Sequence, residues 1–306
     1  MTANVREDNA SQTFFSRDKE NMSKLLKEFS IEVMPRTAEN IPDFRKIIPS
    51  KTKVYIAHID GTSPEEMIKT AKRIREENFD VIPHLPARVI ANKSNLDFFL
   101  SRYCDIGIDK ALVLSGSTKM AVGEFENSMQ LLSTGLFDYY NFKEVMCAGH
   151  PEGNKDIDPT GEDKNIMEAL RWKKQFSIRT GVPISLTTQF CFELDPIVEW
   201  EKKLRNENIE FQINLGLSGP AKLQTLIKYA LLCGVGPSIR VLQKRARDIS
   251  KLLTPYTPEK IILDLSKYKD ETPESNIRSV HFFPLGGIKA TTDFLKNLLG
   301  TYYNIA

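Results

Sequence analysis

FSIEVMPRTAEN, residues 29–40, decides the fold. Its first half is a short apolar run of strand type, and the turn that follows holds no glycine. An open doubly wound sheet would need a Gly-rich phosphate turn at that point. Working outward, further runs of the same kind follow: KVYIAHI (53–59), DVIPHLP (80–86), KALVLSG (110–116), EVMCAGH (144–150), PISLTTQF (183–190), EFQINLGL (210–217) and SVHFFPL (279–285). Most are near-continuous in apolar residues, as parallel strands covered by helices are.

Helical patterns separate them. SPEEMIKTAKRIREE (63–77) places Met67, Ile68, Ala71 and Ile74 on one face, and Ser63 with Glu66 forms a capping-box signature. SNLDFFLSRYCDIG (94–107), DPIVEWEKKLRNEN (195–208) and AKLQTLIKYALLCG (221–234) end on Gly107, Asn208 and Gly234, residues suited to a helix C-terminus. Repeated strand–helix alternation predicts a (β/α)₈ TIM barrel, an α/β fold that usually takes about 250 residues. The barrel domain is expected over residues 25–306, behind a polar N-terminal arm at 1–24. The stretch 236–278 predicts an extra helical insertion before the last strand, with the basic run QKRAR (243–247) on a solvated helix face.

The chain has 306 residues, 42 Lys+Arg against 40 Asp+Glu, and four His. That balance argues against coating a nucleic acid, because nothing in the net charge drives counterion release. With 41% hydrophobic and 27% charged residues it reads as an ordinary globular chain. The four cysteines (Cys104, Cys147, Cys191, Cys233) form no C-x-x-C pair, which predicts reduced thiols and argues against structural zinc. No apolar run approaches the roughly 20 residues of a membrane helix, and the N-terminus lacks a secretory h-region. The expected address is the cytoplasm.

A (β/α)₈ barrel carries its active site at the C-terminal ends of its strands. Those ends hold Glu32, His58 with Asp60, His84, Ser115 with Ser117, His150 with Glu152, and Gln189, while His281 lies within the last strand. Each has a structural alternative: Glu32 as an ion-pair member, His84 as a satisfied core histidine, His58 and Asp60 as loop residues. Two chemistries could use the set. One is a metal site that activates water, weakened by the absence of a His-x-His or His-Glu-x-x-His pair. The other is an organic cofactor held by dispersed polar groups, with Glu32 as general acid or base.

Five segments, in order, are similar to one family. Ser30-Ile31-Glu32-Val33-Met34-Pro35 resembles the Phe-Glu-Phe-Phe-Pro first strand of the methylenetetrahydrofolate reductase family, and Pro83-His84-Leu85 its Pro-His-Leu third strand. Cys147 to Asn154 resembles its Ala-Ala-Tyr-Pro-Glu-x-His segment, Thr188-Gln189-Phe190-Cys191-Phe192 its Thr-Gln-Phe-Phe-Phe strand six, and His281-Phe282-Phe283 its His-Phe-Tyr strand eight. The resemblance spans residues 29–295 and implies a flavin-dependent barrel. FAD would lie in the mouth, and a tetrahydrofolate-type substrate and NAD(P)H or another electron carrier would meet it in turn. It implies Glu32 as general acid/base, a role that suits a desolvated carboxyl of raised pKa. It implies His58, His84, Ser115, Gly116, Ser117, Phe125, His150 and Asn154 along the flavin, with Arg171 and Lys173 as cations for its phosphates. Ser117, Gln189, Thr225 and Tyr229 fall at substrate positions.

The departures matter too. The family's Leu-Arg-Gly-Asp at strand four is here Leu114-Ser115-Gly116-Ser117, so the Arg and the pterin-binding Asp are both absent. The Thr-Leu-Asn-Arg that follows its strand eight is replaced by Pro284-Leu285-Gly286-Gly287, and its strand-two Thr-Tyr pair by Ala57-His58. Removing one partly buried negative charge should ease formation of a reduced, anionic flavin by about 1–3 kcal/mol. That change favours oxidation of methyltetrahydrofolate. Three readings stay open: this folate oxidoreductase, a flavoenzyme for another pterin or methyl donor, and a flavin-free ligand-binding or regulatory subunit. A homo-oligomer is compatible with each.

Overall fold

All of the predicted strand runs form strands. In the computed structural model, which describes residues 17–233, 240–244, 254–300 and 303, they are β1 (Ser30–Val33), β2 (Lys53–Ile56), β3 (Asp80–Pro86), β4 (Lys110–Leu114), β5 (Glu144–Gly149), β6 (Ile184–Cys191), β7 (Gln212–Ser218) and β8 (Ile277–Phe283). They pair in parallel in sequence order, and β1 closes on β8 through Ser30 opposite His281 and Ile31 opposite Phe282. The fold is a TIM barrel.

Successive strand residues face opposite sides of the sheet. One parity (Ile31, Val33, Val54, Ile56, Val113, Val145) joins the large apolar core against the helices. The other parity lines the interior, and here the barrel is lopsided. Tyr55, Ile82, Leu112 and Met146 form an apolar cluster on the β2–β5 side. The β6–β8 and β1 side instead buries Ser30, Ser185, Thr187, Asn214, Ser279 and His281. Their polar groups are largely paired: Ser279 Oγ with Asn214 Oδ1 at 2.8 Å, Tyr55 OH with Thr187 Oγ1 at 3.1 Å, and Ser30 Oγ with His281 Nδ1 at 2.8 Å.

The helical belt follows its sequence signals. The first helix, α1, spans 17–26, and a short α2 (Pro35–Glu39) follows β1. Next come α3 (Pro64–Glu76), α4 (Lys93–Asp105), α5 (Ser128–Leu132), α6 (Leu136–Tyr139), α7 (Lys164–Thr180) and α8 (Asp195–Asn206). The belt ends with α9 (Leu223–Leu232), α10 (Glu259–Glu271) and α11 (Ile288–Leu299). In α3 the capping box closes as read, with Glu66 N donating to Ser63 Oγ and Ser63 N to the Glu66 carboxylate. Gly107 and Asn208 adopt positive φ just past α4 and α8.

At the N-terminus the polar-arm boundary at residue 24 falls inside α1. Leu25 and Leu26 are buried in the core, and Arg17 reaches Asp270 of α10 at 2.8 Å. Residues 1–16 lie outside the described part. Of the insertion, 240–244 and α10 are helical, with Gln243 and Lys244 exposed; Gly234 and residues 245–247 lie outside the described residues.

Two local devices aim residues at the mouth. Between Thr187 and Phe190 the β6–β7 register shifts, and Thr188 Oγ1 accepts the Gly216 N–H at 2.8 Å. A Cβ on Gly216 would stand 2.4 Å from Thr188 O and 2.7 Å from Gln189 O, so the bulge that presents Gln189 requires glycine there. The start of α7 is capped from a distance. Asp163, directly before it, makes no capping bond, while Asp158 accepts from Asn165 N and Ile166 N at 2.9 Å each. Asp158→Ala should therefore lower unfolding free energy by about 1–2 kcal/mol, read as a fall in urea midpoint at unchanged m-value.

Candidate active site

Two residues apart on β1, Ser30 and Glu32 face the barrel interior. Glu32 stands at the C-terminal end, its side chain 20% exposed, with one carboxylate oxygen 3.4 Å from His84 Nε2 and 3.7 Å from His281 Nε2. His84 comes from β3, where Pro83 and Pro86 hold the backbone extended around it. His281 comes from β8 and is fully buried. Neither Nε2 has a partner of hydrogen-bond geometry among the described residues, so both point at the carboxylate without a formed bond.

The expected raised pKa of Glu32 is not what this setting produces. Burial pushes the carboxyl up, but His281 and then His84 outweigh it and hold Glu32 below the ordinary carboxylate range. Glu32 is ionised at neutral pH. Burial depresses His84 to about 4 despite the nearby carboxylate, so its imidazole is neutral. Cys233, just past α9, has its thiol pushed up to about 11, by burial first and then by the negative charge of Glu32.

On the opposite side of the barrel, His150 follows β5 and is half-buried; burial, then the charge of Lys173, depress it to about 4. Lys173 is 6% exposed, and no carboxylate among the described residues lies within ion-pair distance of it. Asn154 lines a cavity of about 560 Å³ with Glu152, Trp200, Lys203 and Arg240, while its Oδ1 accepts from Asp156 N at 2.9 Å. Gln189 reaches the mouth from β6, but its amide donates to Cys233 O at 3.0 Å, tying it to the end of α9.

Other sequence candidates lie elsewhere. Arg171 projects outward, its Nε donating to Glu207 at 2.9 Å. Phe125 packs in the main core at 5% exposure. His58 contacts its own loop at Thr62 O, 3.2 Å away, and lines a separate cleft of about 280 Å³ with Phe98, Phe99 and Val122. Thr225 lines another cleft with Lys222 and Leu285, and Tyr229 packs on the apolar cluster around Phe190 and Leu226. Ser115, Gly116 and Ser117 follow β4 as read. Gly116 sits at φ 97°, where an added Cβ would lie 3.0 Å from the Pro86 side chain.

Sequence reading passed over Arg88. Its Nη1 donates to Thr118 O at 2.9 Å and its Nε to Glu126 O at 3.1 Å, so the segment after β4 is strapped to the end of β3. Nothing in the sequence marks that arginine. Ser30 did carry a signal: it lies two residues before Glu32, on the same face of the strand.

Among the described residues no group of three or more His, Cys, Asp or Glu could hold a metal ion, and no helix is long and apolar enough to cross a membrane.

No protein-family model matches the chain. Among solved structures, it is similar to the dihydropteroate synthase of Anaplasma phagocytophilum with bound 6-hydroxymethylpterin-monophosphate. The identity is 12%, over 89% of this chain and 99% of that one, with a TM-score of 0.42. It is also similar to a candidate deoxyribose-phosphate aldolase from Toxoplasma gondii ME49, in apo form. There the identity is 11%, over 93% of this chain and 98% of that one, at a TM-score of 0.47. Likeness at this level carries no argument about chemistry.

The site makes the fold acid-sensitive in a defined window. His84 and His150, held near 4, contribute stability that is complete above the unfolded value of about 6.5. It is lost as pH falls toward 4, by about 2–3 kcal/mol for each residue. The depressed Glu32 acts in the same direction, its contribution disappearing as pH drops through the carboxylate range. Urea unfolding between pH 7 and 4 should show this fall, and His84→Asn should flatten it.

Proposed function

We propose that the chain is an FAD-dependent oxidoreductase interconverting 5,10-methylenetetrahydrofolate and 5-methyltetrahydrofolate, running in the methyltetrahydrofolate-oxidising direction. The observation that carries this reading is a division of charge across one barrel mouth. A carboxylate between two imidazoles stands on β1, and Lys173, largely buried and with no carboxylate among the described residues within ion-pair distance, stands behind β5.

The residues present fit the cofactor. Lys173 has no carboxylate within ion-pair distance among the described residues, and a pyrophosphate beside His150 would give it an anionic partner. Gly116, with its left-handed backbone against Pro86, leaves the β4 end free of a side chain where a flat ring system could approach. Lys173, His150 and Asn154 would hold the phosphate end, and His84 with Ser115 and Gly116 the ring end. Ser117, exposed on the same loop, takes the place of the pterin-binding Asp, so Gln189 is left as the polar substrate contact. FAD, when bound, supplies the two-electron partner for hydride transfer at N5.

The protein's own part is proton handling and orientation. Once hydride has left the methyl carbon of the substrate, N10 closes onto the methylene iminium and must lose its proton. An ionised Glu32 is in the state that accepts it. In the reductive direction the same carboxyl would need to be protonated first, which its surroundings oppose. The ionisation of Glu32 thus supports the oxidative direction independently of the missing strand-four Asp.

The purified protein should carry a flavin absorption band, and 5-methyltetrahydrofolate added anaerobically should bleach it; a colourless protein that takes up no FAD refutes the reading. Glu32→Gln should keep FAD and lose roughly 10²–10³-fold in the rate of that bleaching. Lys173→Met should weaken FAD binding at least about tenfold in a fluorescence titration, the loss expected when one charge-assisted contact is removed.

A further inference from the structure

Between the segments that follow β2, β3 and β4 lies the cleft of about 280 Å³ that His58 lines. It shares no lining residue with the cavity beside Asn154 and does not include Glu32. Of the eight large apolar side chains exposed among the described residues, three line it: Ile59 at 47%, Phe98 at 39% and Val122 at 72%. Met120, also exposed, stands two residues from Val122. Apolar side chains scattered singly over a surface need no explanation, but a group of them around one concavity marks a binding surface.

The walls of the cleft are fixed before anything binds. Val122 N donates to Arg88 O and Glu124 N to Ala91 O, both at 2.9 Å. Between them, a Cβ on Gly123 would stand 1.8 Å from Ala91 O, so the segment carrying Val122 lies flat on the one after β3. A second wall is an aromatic corner. The ring of Phe99 is 6.0 Å from that of His58 and 6.1 Å from that of Phe98, centroid to centroid.

The polar groups of the lining present acceptors. His58 Nε2 is 3.2 Å from Thr62 O, and a carbonyl only accepts, so this nitrogen carries the hydrogen. Burial keeps the imidazole neutral. That leaves Nδ1 an acceptor without a partner among the described residues, and one that solvent can still reach. Asp60 is the single charged residue of the lining, and it is exposed. The start of α3, at the edge, is capped by Ser63 and faced by the Glu66 carboxylate, so this helix end does not attract an anion.

We propose that this cleft is a second ligand site, which takes an uncharged, flat heteroaromatic ring with an exocyclic amino group, the chemistry of an adenine-type base. The ring lies against Phe98, and the amino group donates to His58 Nδ1 and Asp60. The volume is just under that of a site for a whole drug-sized ligand and suits one ring system with its sugar outside. With Asp60 at the rim and no Lys or Arg in the lining, a phosphate on that sugar is disfavoured. No bond is made or broken, and the site does not depend on the oxidoreductase reading.

The test is a ligand-observed NMR titration of the FAD-saturated protein with adenosine, purine riboside and AMP. Adenosine should bind about tenfold more tightly than purine riboside, which lacks the amino group, and more tightly than AMP. Phe98→Ala should weaken adenosine roughly tenfold, as loss of a stacking partner does. Asp60→Lys should weaken adenosine and reverse the preference, so that AMP binds better than adenosine. Phe98 and Asp60 are both exposed, and two variants keep the question decidable where one fails to fold. Equal binding of adenosine and purine riboside overturns the proposal, and so does adenosine binding that neither variant changes. Adenosine that binds only in the absence of FAD overturns it too, since the nucleoside is then occupying the flavin's own site. A chain that takes up no FAD sinks the oxidoreductase reading, and the same titration with the two variants still decides the cleft.

Discussion

The register at which β1 meets β8 is the constraint on which the rest depends. Ser30 lies opposite His281 at the seam that closes the barrel. Because side chains alternate, that pairing turns Ser30, Glu32 and His281 inward together and sends Ile31 and Phe282 to the helical layer. A slip of one residue would bury the carboxylate among the apolar side chains of the outer core and turn Ile31 toward the mouth. Barrel closure and assembly of the acid–base cluster are therefore one event, and the apolar layer outside enforces the polar geometry inside.

The lopsided interior follows from the same alternation. Tyr55, Ile82, Leu112 and Met146 fill one side by packing. The other side is specified by directional contacts: Ser30 with His281, Asn214 with Ser279, Tyr55 with Thr187. Buried polar pairs add modest net stability when satisfied and are expensive when broken. This side of the barrel accordingly tolerates little change in side-chain shape, and it is the side on which Glu32 and Gln189 depend.

Much of this was legible in the sequence because it is local. The run 29–35 with its glycine-free turn, the Ser63–Glu66 capping box and the helix ends at Gly107 and Asn208 are each set by a few neighbouring residues. The long-range features were not. The docking of 17–26 depends on Leu25 and Leu26 finding the core, and the remote cap of α7 by Asp158 depends on how a loop folds back. The β6 bulge needs Gly216 from another strand, and the strap made by Arg88 needs carbonyls some thirty residues away. For the site, the strand-end positions of Glu32, His84 and Gln189 could be read, since strand parity fixes them. The ionisation of Glu32 could not, because it reflects two imidazoles brought from strands distant in sequence. Helical periodicity likewise could not tell Arg171, which faces outward, from Lys173, which faces the strands.

Glu32 and Lys173 also set an electrical direction across the mouth. In an eight-stranded barrel the first and fifth strands stand on opposite walls. With His58, His84 and His150 all kept neutral by burial, Glu32 puts a negative charge at β1 and Lys173 a positive one behind β5, where the neighbouring cavity carries both acidic and basic side chains. The low-dielectric walls between them screen this field poorly. An elongated ligand with one anionic end would be favoured one way round, its charge toward Lys173 and its neutral end beside the carboxylate. Such a bias would act while the ligand is still approaching, before any hydrogen bond has formed.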